Sequence, residues 1–233
     1  MRIYYDMHIH SALSPCGDED MTPNNIVNMS ILKGLDMIAV TDHNSCGNAR
    51  AVMKAAEGRL RVVPGLEVTT CEEVHVLCYF SDIDAAEDMG ELVKKNMCGL
   101  ENKPEIFGRQ LIMNENDEIV GEERALLIAA TALDIYAVGD EVRRRGGVFV
   151  PAHIDRSSCS ILSNLGFMPP DIYFDAVEIT EKGMALYADE YKENYPVFTS
   201  SDAHYLEDIA EKGRFFDMTD KMTKNLLESL CKI

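Results

Sequence analysis

The chain has 233 residues, enough for one sizeable barrel or doubly wound α/β unit and short for two independent cores of ordinary size. Hydrophobic residues make up 46% and charged residues 27%, and no apolar run approaches the roughly 18 residues of a membrane span, which argues against membrane insertion. Forty acidic against twenty-two basic side chains give a formal charge of -18, which repels nucleic-acid backbones and disfavours long nucleic acid as a partner.

The first residues run directly into a strand-like pattern, residues 3–10, without the basic start and apolar stretch of a secretory signal, so a cytoplasmic location is expected. Thr22 is placed to cap, and Pro23 to open, a helix continuing to about Leu35. Residues 36–40 read as a second short strand, 41–48 as a polar turn and 49–57 as a helix. Two further apolar, β-branched runs follow at 60–68 and 73–80, then a charged amphipathic helix at 85–97. Residues 101–125 break the rhythm and read as a small hairpin or irregular insertion. A helix is expected over 124–145, where Arg143, Arg144 and Arg145 suit its C-terminus and the following glycines its cap. Strands recur at 148–154, 176–179 and 197–201, and 220–233 reads as a closing amphipathic helix.

Seven strand candidates alternating with helices predict one domain over residues 1–233, a parallel α/β sheet closed into a barrel. Such a barrel carries its chemistry at the strand C-termini, where residues distant in sequence converge. The seven cysteines are scattered, with no Cys-x-x-Cys pair, and read as reduced packing residues.

All six histidines, His8, His10, His43, His75, His153 and His204, fall at or just beyond the C-terminal end of an expected strand. His8 and His10 stand two apart, so both imidazoles point to one side of a strand and can grip one cation. Glu67 is an acid in an apolar strand, a costly placement unless its charge bridges cations or pairs with an arginine or lysine. Asp202 and His204 again stand two apart. Asp42, beside His43, faces the other way and suits a supporting role, as does Asp6. Imidazole with carboxylate favours zinc, manganese or iron over calcium or magnesium. Two or three such divalent ions would bring the pKa of a bound water toward neutrality and clamp phosphate oxygens, so no serine or cysteine nucleophile is needed.

Asp6-Met7-His8-Ile9-His10, Thr41-Asp42-His43-Asn44, Gly65-Leu66-Glu67, His75, Pro151-Ala152-His153 and Ser201-Asp202-Ala203-His204 resemble, in order, the motifs of the PHP (polymerase and histidinol phosphatase) family. The resemblance runs from residue 6 to about 204. It implies a distorted (β/α)7 barrel holding up to three metals, and a place among small-molecule phosphatases, nucleotide phosphoesterases, exonucleases and polymerase-associated domains. It further implies that His8, His10, Glu67 and Asp202 bind one metal, that Glu67, His75 and His153 bind a second, and that His43 and His204 bind a third. The third takes another ligand from the loop Ser14-Pro15-Cys16-Gly17-Asp18-Glu19-Asp20, where the sequence departs from shorter patterns of the family. Counting back from the helix start selects Asp18, and counting forward from His10 selects Cys16; Asp18 is preferred. Arg156 resembles an arginine that contacts substrate phosphate in small-molecule esterases of the family, with a structural salt bridge as the alternative.

The expected function is therefore a metal-dependent phosphoesterase acting on a small phosphorylated metabolite or nucleotide, with Asp202, His204 and Arg156 at the reacting centre. Three alternatives stand beside it: an oligonucleotide exonuclease, an amidohydrolase-like hydrolase of C–N or C–O bonds, and a noncatalytic metal-stabilised module.

Overall fold

The computed structural model describes residues 2–217, 219 and 221–231. Its main sheet has six strands in the order β10-β1-β2-β3-β4-β7, where β1 is Arg2–Ile9, β2 Met37–Val40, β3 Arg61–Thr69, β4 His75–Tyr79, β7 Val148–Pro151 and β10 Phe215–Asp217. The parallel pair β8 (Val177–Glu178) and β9 (Val197–Phe198) completes the ring. On one side Asp175 N–H donates to the Phe149 carbonyl and Ile154 N–H to that of Glu178. On the other, His10 N–H donates to the Ala203 carbonyl and Ala203 N–H to that of His8. Seven strands (β1, β2, β3, β4, β7, β8 and β9) thus enclose an interior filled by Tyr5, Met7, Met37, Ala39, Val63 and their neighbours. This is the distorted α/β barrel that the sequence predicts.

The sheet is not purely parallel. Five residues separate β3 from β4, too few for a crossover helix, so the two form an antiparallel hairpin and β4 then pairs antiparallel with β7. The reversal corrects the expected placement of His75, which opens its strand rather than ending it, yet reaches the same rim as Glu67 because β4 runs the other way.

Helices α1 (Pro23–Leu32) and α2 (Ala49–Ala56) pack on β2 and β3 through Ile26, Val27 and Val52, while α3 (Ile83–Lys95) and α5 (Ile135–Arg144) cover β3, β4 and β7 through Met89, Val93, Val138 and Val142. Thr22 caps α1 and Pro23 opens it, as expected, but the helix stops at Leu32 because Gly34 takes a positive φ of 77°. The predicted long helix over 124–145 is corrected to α5 alone, capped by Asp134. Residues 124–134 are instead drawn out along residues 96–102 and β3, with Leu126 N–H donating to the Leu100 carbonyl, Ala132 N–H to that of Asn96 and Thr131 N–H to that of Thr69.

The insertion contains the expected hairpin, β5 (Leu111–Met113) with β6 (Ile119–Glu122), and a short helix α4 (Pro104–Phe107). Helices α4, α6 (Ile161–Asn164) and α7 (Met184–Tyr191) went unread, as did β10. The closing helix α8 spans Lys221–Cys231; Asp220, Lys232 and Ile233, which the expected element included, lie outside the described residues. Among the described residues, no helix is long and apolar enough to cross a membrane.

Candidate metal centre

The rim of the barrel breaks the strand alternation in ways that turn ligands inward. Tyr5 and Met7 pack in the interior, whereas Ile9 packs outward with Ile38 and Val40, so parity changes where the β1–β2 register is irregular between Asp6 and Ile9. That irregularity presents His8 and His10 to the site. On β3 the alternation is regular, and Val63 inside with Leu66 and Val68 outside places Glu67 inward. His153 and Asp202 follow their strands with φ of 27° and 54°, left-handed values that a non-glycine residue holds only at a cost of about 1–3 kcal/mol and that cluster at functional sites.

Glu67 is fully buried and its carboxylate lies within 3.5 Å of five imidazoles: 3.4 Å from His8 Nε2, 3.5 Å from His10 Nε2, 2.9 Å from His43 Nδ1, 2.9 Å from His75 Nδ1 and 3.2 Å from His153 Nε2. No arginine or lysine pairs with it among the described residues. Asp202 Oδ1 stands 3.3 Å from His8 Nε2 and 3.1 Å from His10 Nε2. The ring of His204 stacks 4.2 Å from that of His10, and its Nδ1 lies 2.8 Å from the Asp202 carbonyl oxygen.

Hydrogen bonding behind the cluster decides which nitrogen faces it. Asp42 accepts from Ser11 N–H and from the Ser11 and Ser14 hydroxyls, so Ser14 Oγ is left to accept from His10 Nδ1–H at 2.9 Å. His10 Nε2 therefore carries a lone pair. His8 Nδ1 donates to Glu178, 3.1 and 3.2 Å from its two oxygens, and aims its own Nε2 at the same point, 3.2 Å from His10 Nε2. Asp6 accepts from Ser201 N–H and Oγ and from Ala210 N–H, anchoring the turn that carries Asp202.

This arrangement is rich in electron pairs and poor in protons. Glu67 Oε2, His43 Nδ1, His153 Nδ1 and Asp202 Oδ2 are buried and make no well-directed hydrogen bond, although His43 Nδ1 lies 2.9 Å from Glu67 Oε2 and Arg156 pairs with Asp202 Oδ2, a pattern that shared cations resolve. Three groups have donor atoms close enough to share an ion: His8, His10 and Glu67; His43, Glu67 and His75; and His10, His43 and His204. The donor set fits divalent metal ions. Burial opposes the charge of His8, but Glu178, Asp202 and Glu67 outweigh it and raise its pKa well above the usual value. Burial likewise opposes that of His75, which Glu67 and Cys159 nevertheless push up to about 10. Burial together with His43 and His204 drives His10 down. Against the desolvation of their own burial, the histidines hold Glu67 and Asp202 well below the ordinary carboxylate range. Both shifts favour an added proton on His8 and His75 where no cation sits.

The structure brings together His8, His10, His43, Glu67, His75, His153, Asp202 and His204. Asp18 is tied beside this group through its backbone, its N–H donating to the His204 carbonyl, while its Oδ1 accepts from Asp20 N–H; it belongs to none of the three donor groups. Cys16 is exposed in the same loop, and partial desolvation beside the rim together with the Glu67 charge pushes its thiol up to about 12. The Arg156 guanidinium pairs with Asp202 Oδ2.

Glu178 went unread. It is buried at 2% exposure, holds His8 Nδ1, and accepts from His153 N–H at 2.8 Å. The signal that singled out Glu67, an acid inside an apolar run, was present here in Val177-Glu178-Ile179.

A seven-stranded barrel with one rim crowded by imidazoles and carboxylates defines a metal-dependent hydrolase. Residues 6–154 match the model of the PHP domain, and the chain belongs to that family. Among solved structures, a lesion-specific endonuclease from Pyrococcus furiosus superposes with a TM-score of 0.71 at 19% identity, over 100% of this chain and 56% of its own. The chain thus spans about half the length of that enzyme. A protein from Bifidobacterium adolescentis, provisionally named a metal-dependent phosphoesterase, gives 0.69 at 17% identity over 97% of this chain and 96% of its own. An amidohydrolase from Chromobacterium violaceum, with bound sulfate and no metal, gives 0.64 at 16% over the same shares. At these identities the likeness is one of fold. None of the curated proteins matches the chain in sequence.

Proposed function

We propose that this hydrolase is a phosphoesterase that releases phosphate from a small phosphorylated metabolite or nucleotide. The observation that carries the reading is Arg156, whose half-exposed guanidinium stands against Asp202 where an open groove meets the donor cluster. A planar fork of N–H donors at the edge of a cation site suits the bidentate grip of a phosphate.

In this reading His8, His10, Glu67 and Asp202 hold one ion, Glu67, His75 and His153 a second, and His43 and His204, joined by Asp18 or Cys16, a third. The mixed imidazole and carboxylate donors suit zinc, manganese or iron. Bound ions supply an acidified water and positive charge for the ester oxygens. The chain's own part is to orient and to hold protons. Glu178 keeps the His8 proton on Nδ1, Ser14 keeps that of His10 on Nδ1, and both leave Nε2 turned to the centre. Arg156 donates to the substrate anion, and Glu67, buried among five imidazoles, keeps its charge at neutral pH.

The test is elemental mass spectrometry on protein purified without chelator, paired with a phosphate-release screen over sugar phosphates, amino-acid phosphates, nucleotides and short oligonucleotides. Two or three transition-metal equivalents with turnover of one small-molecule class are expected. Full metal occupancy without phosphate release refutes the reading.

A second reading, nuclease action, draws on the fold shared with endonuclease Q, one structure of which holds a 27-mer duplex with an abasic lesion at the active site. The net charge of -18 weighs against it here, and preferential turnover of the oligonucleotides in the same screen would select it.

A further inference from the structure

The loop that leaves β7 carries His153 and Arg156 and then returns to β4, where His75 N–H donates to the Cys159 carbonyl at 3.0 Å. Cys159 is half-buried and holds a left-handed conformation, φ 53°, which a non-glycine residue keeps only at a cost. Its side chain also hydrogen-bonds to the His75 imidazole, so one residue meets His75 through both its carbonyl and its sulfur. The neighbouring bonds fix this placement. The Ser160 hydroxyl donates to the Arg156 carbonyl at 2.7 Å, which closes the loop. Asn164 Nδ2, at the end of α6, donates at 3.0 Å to the Glu72 and Glu73 carbonyls, in the turn that leads into His75.

The two nitrogens of an imidazole face different partners. His75 Nδ1 lies 2.9 Å from Glu67 Oε1, and that edge of the ring is turned to the donors it shares with His43 and Glu67. Cys159 belongs to none of the three donor groups around the centre, although sulfur is a metal donor in its own right. The nitrogen left to meet the sulfur is Nε2, on the edge of the ring that faces away from Glu67.

We infer that Cys159 is a positioning residue for the second ion: its sulfur accepts from His75 Nε2–H and keeps the Nδ1 lone pair turned to the centre. The inference rests on the assignment of His75 to that ion. His8 and His10 are set by oxygen, from Glu178 and Ser14, with the proton on Nδ1 and Nε2 inward. His75 is set the other way round, with Nδ1 inward, and by sulfur. Sulfur is a weaker acceptor than a carboxylate or a hydroxyl, so the His75 ring is the least firmly held of the three. The ion it serves is then the more easily lost, and Cys159 is what decides by how much.

The test reads the ring itself. Protein with isotopically labelled histidine is loaded with zinc, and long-range proton–nitrogen correlation gives the coordinating nitrogen of each ring in the wild type, Cys159→Ala and Cys159→Ser, with His75→Asn for assignment. In the wild type His75 should bind zinc through Nδ1 and keep its proton on Nε2. In Cys159→Ala the ring is free to turn, so a population coordinated through Nε2 should appear, and affinity for one zinc ion, read against a chromophoric chelator, should fall roughly tenfold. Cys159→Ser, whose hydroxyl accepts in the same place, should restore both. Alanine and serine meet the left-handed backbone no worse than cysteine does, so both variants should fold, which thermal unfolding of the metal-free protein checks. Coordination of wild-type His75 through Nε2, or a Cys159→Ala spectrum and affinity like those of the wild type, overturns the inference and leaves the phosphoesterase reading standing. A loss in Cys159→Ala that serine does not restore makes the side chain a packing element and overturns it as well. A wild-type spectrum in which zinc moves no histidine overturns the metal centre, and both readings with it.

Discussion

Replacing Glu178 by glutamine tests whether the centre is set from behind. One Glu178 oxygen lies 2.8 Å from His153 N–H and 3.1 Å from His8 Nδ1, and the other lies 3.2 Å from the same His8 nitrogen. Glutamine has a single oxygen. If it stays on His153 N–H it keeps its 3.1 Å contact with His8 Nδ1, but the new NH2 stands 3.2 Å from the same nitrogen, donor against donor. The histidine then escapes the clash by moving its proton to Nε2, which removes the lone pair from the cluster, or by turning its ring. Loss of such a supporting group weakens metal affinity by roughly 10–100-fold, or about 1.4–2.7 kcal/mol. Titration of manganese against a chromophoric chelator at neutral pH should show that loss in Glu178→Gln, with phosphate release falling in step. Thermal unfolding of the metal-free protein checks that the fold persists. A folded variant whose manganese affinity stays within about twofold of wild type would refute the claim that Glu178 sets the His8 tautomer.

Asp202→Asn removes a charge that faces both His8 and His10, and phosphate release should fall to background while the far-ultraviolet circular dichroism stays unchanged; retained turnover would sink the site assignment. Metal binding should release protons, because His8 and His75 both favour an added proton in the metal-free protein. Calorimetry in buffers of different ionisation enthalpy measures the number, and affinity should rise with pH. A histidine with a raised pKa contributes stability below its unfolded value of about 6.5 and loses it as pH rises through the folded one. The metal-free protein should therefore lose Tm toward pH of about 10, and the metal-loaded protein should not. Gly65→Ala sets a Cβ 2.8 Å from the Cys78 carbonyl oxygen across the β3–β4 hairpin and should cost about 1–3 kcal/mol, or several degrees of Tm; an unchanged melting curve would show that the hairpin has slack.

The histidines and Glu67 were legible because a charge buried in an apolar run and imidazoles gathered at strand ends are costly unless a cation offsets them. Thr22 and Pro23 announced α1 by local chemistry alone. The errors share a cause, tertiary contacts that no local signal carries. Residues 124–134 have a helix-compatible composition, yet their N–H groups are claimed by the Leu100, Asn96 and Thr69 carbonyls, which lie far away in sequence. The orientation of β4 depends on the length of a turn, and the inward face of His153 depends on one left-handed residue rather than on any period. β8 and β9 lie within the expected runs 176–179 and 197–201, but at two residues each they show no period that would turn Glu178 toward the centre.

The ring of strands has a seam where β1 meets the last turn, held by the Ile9–Ala203 bridge and the two backbone bonds around it. His8 and His10 stand on one side of that seam, and Asp202 and His204 on the other. A cation held by both sides would join the two ends of the barrel and close a loop of nearly the whole chain, so that metal would serve a mechanical as well as a chemical part. Loading should slow the opening of the seam, so protease resistance near residue 200 should track metal occupancy before global stability does.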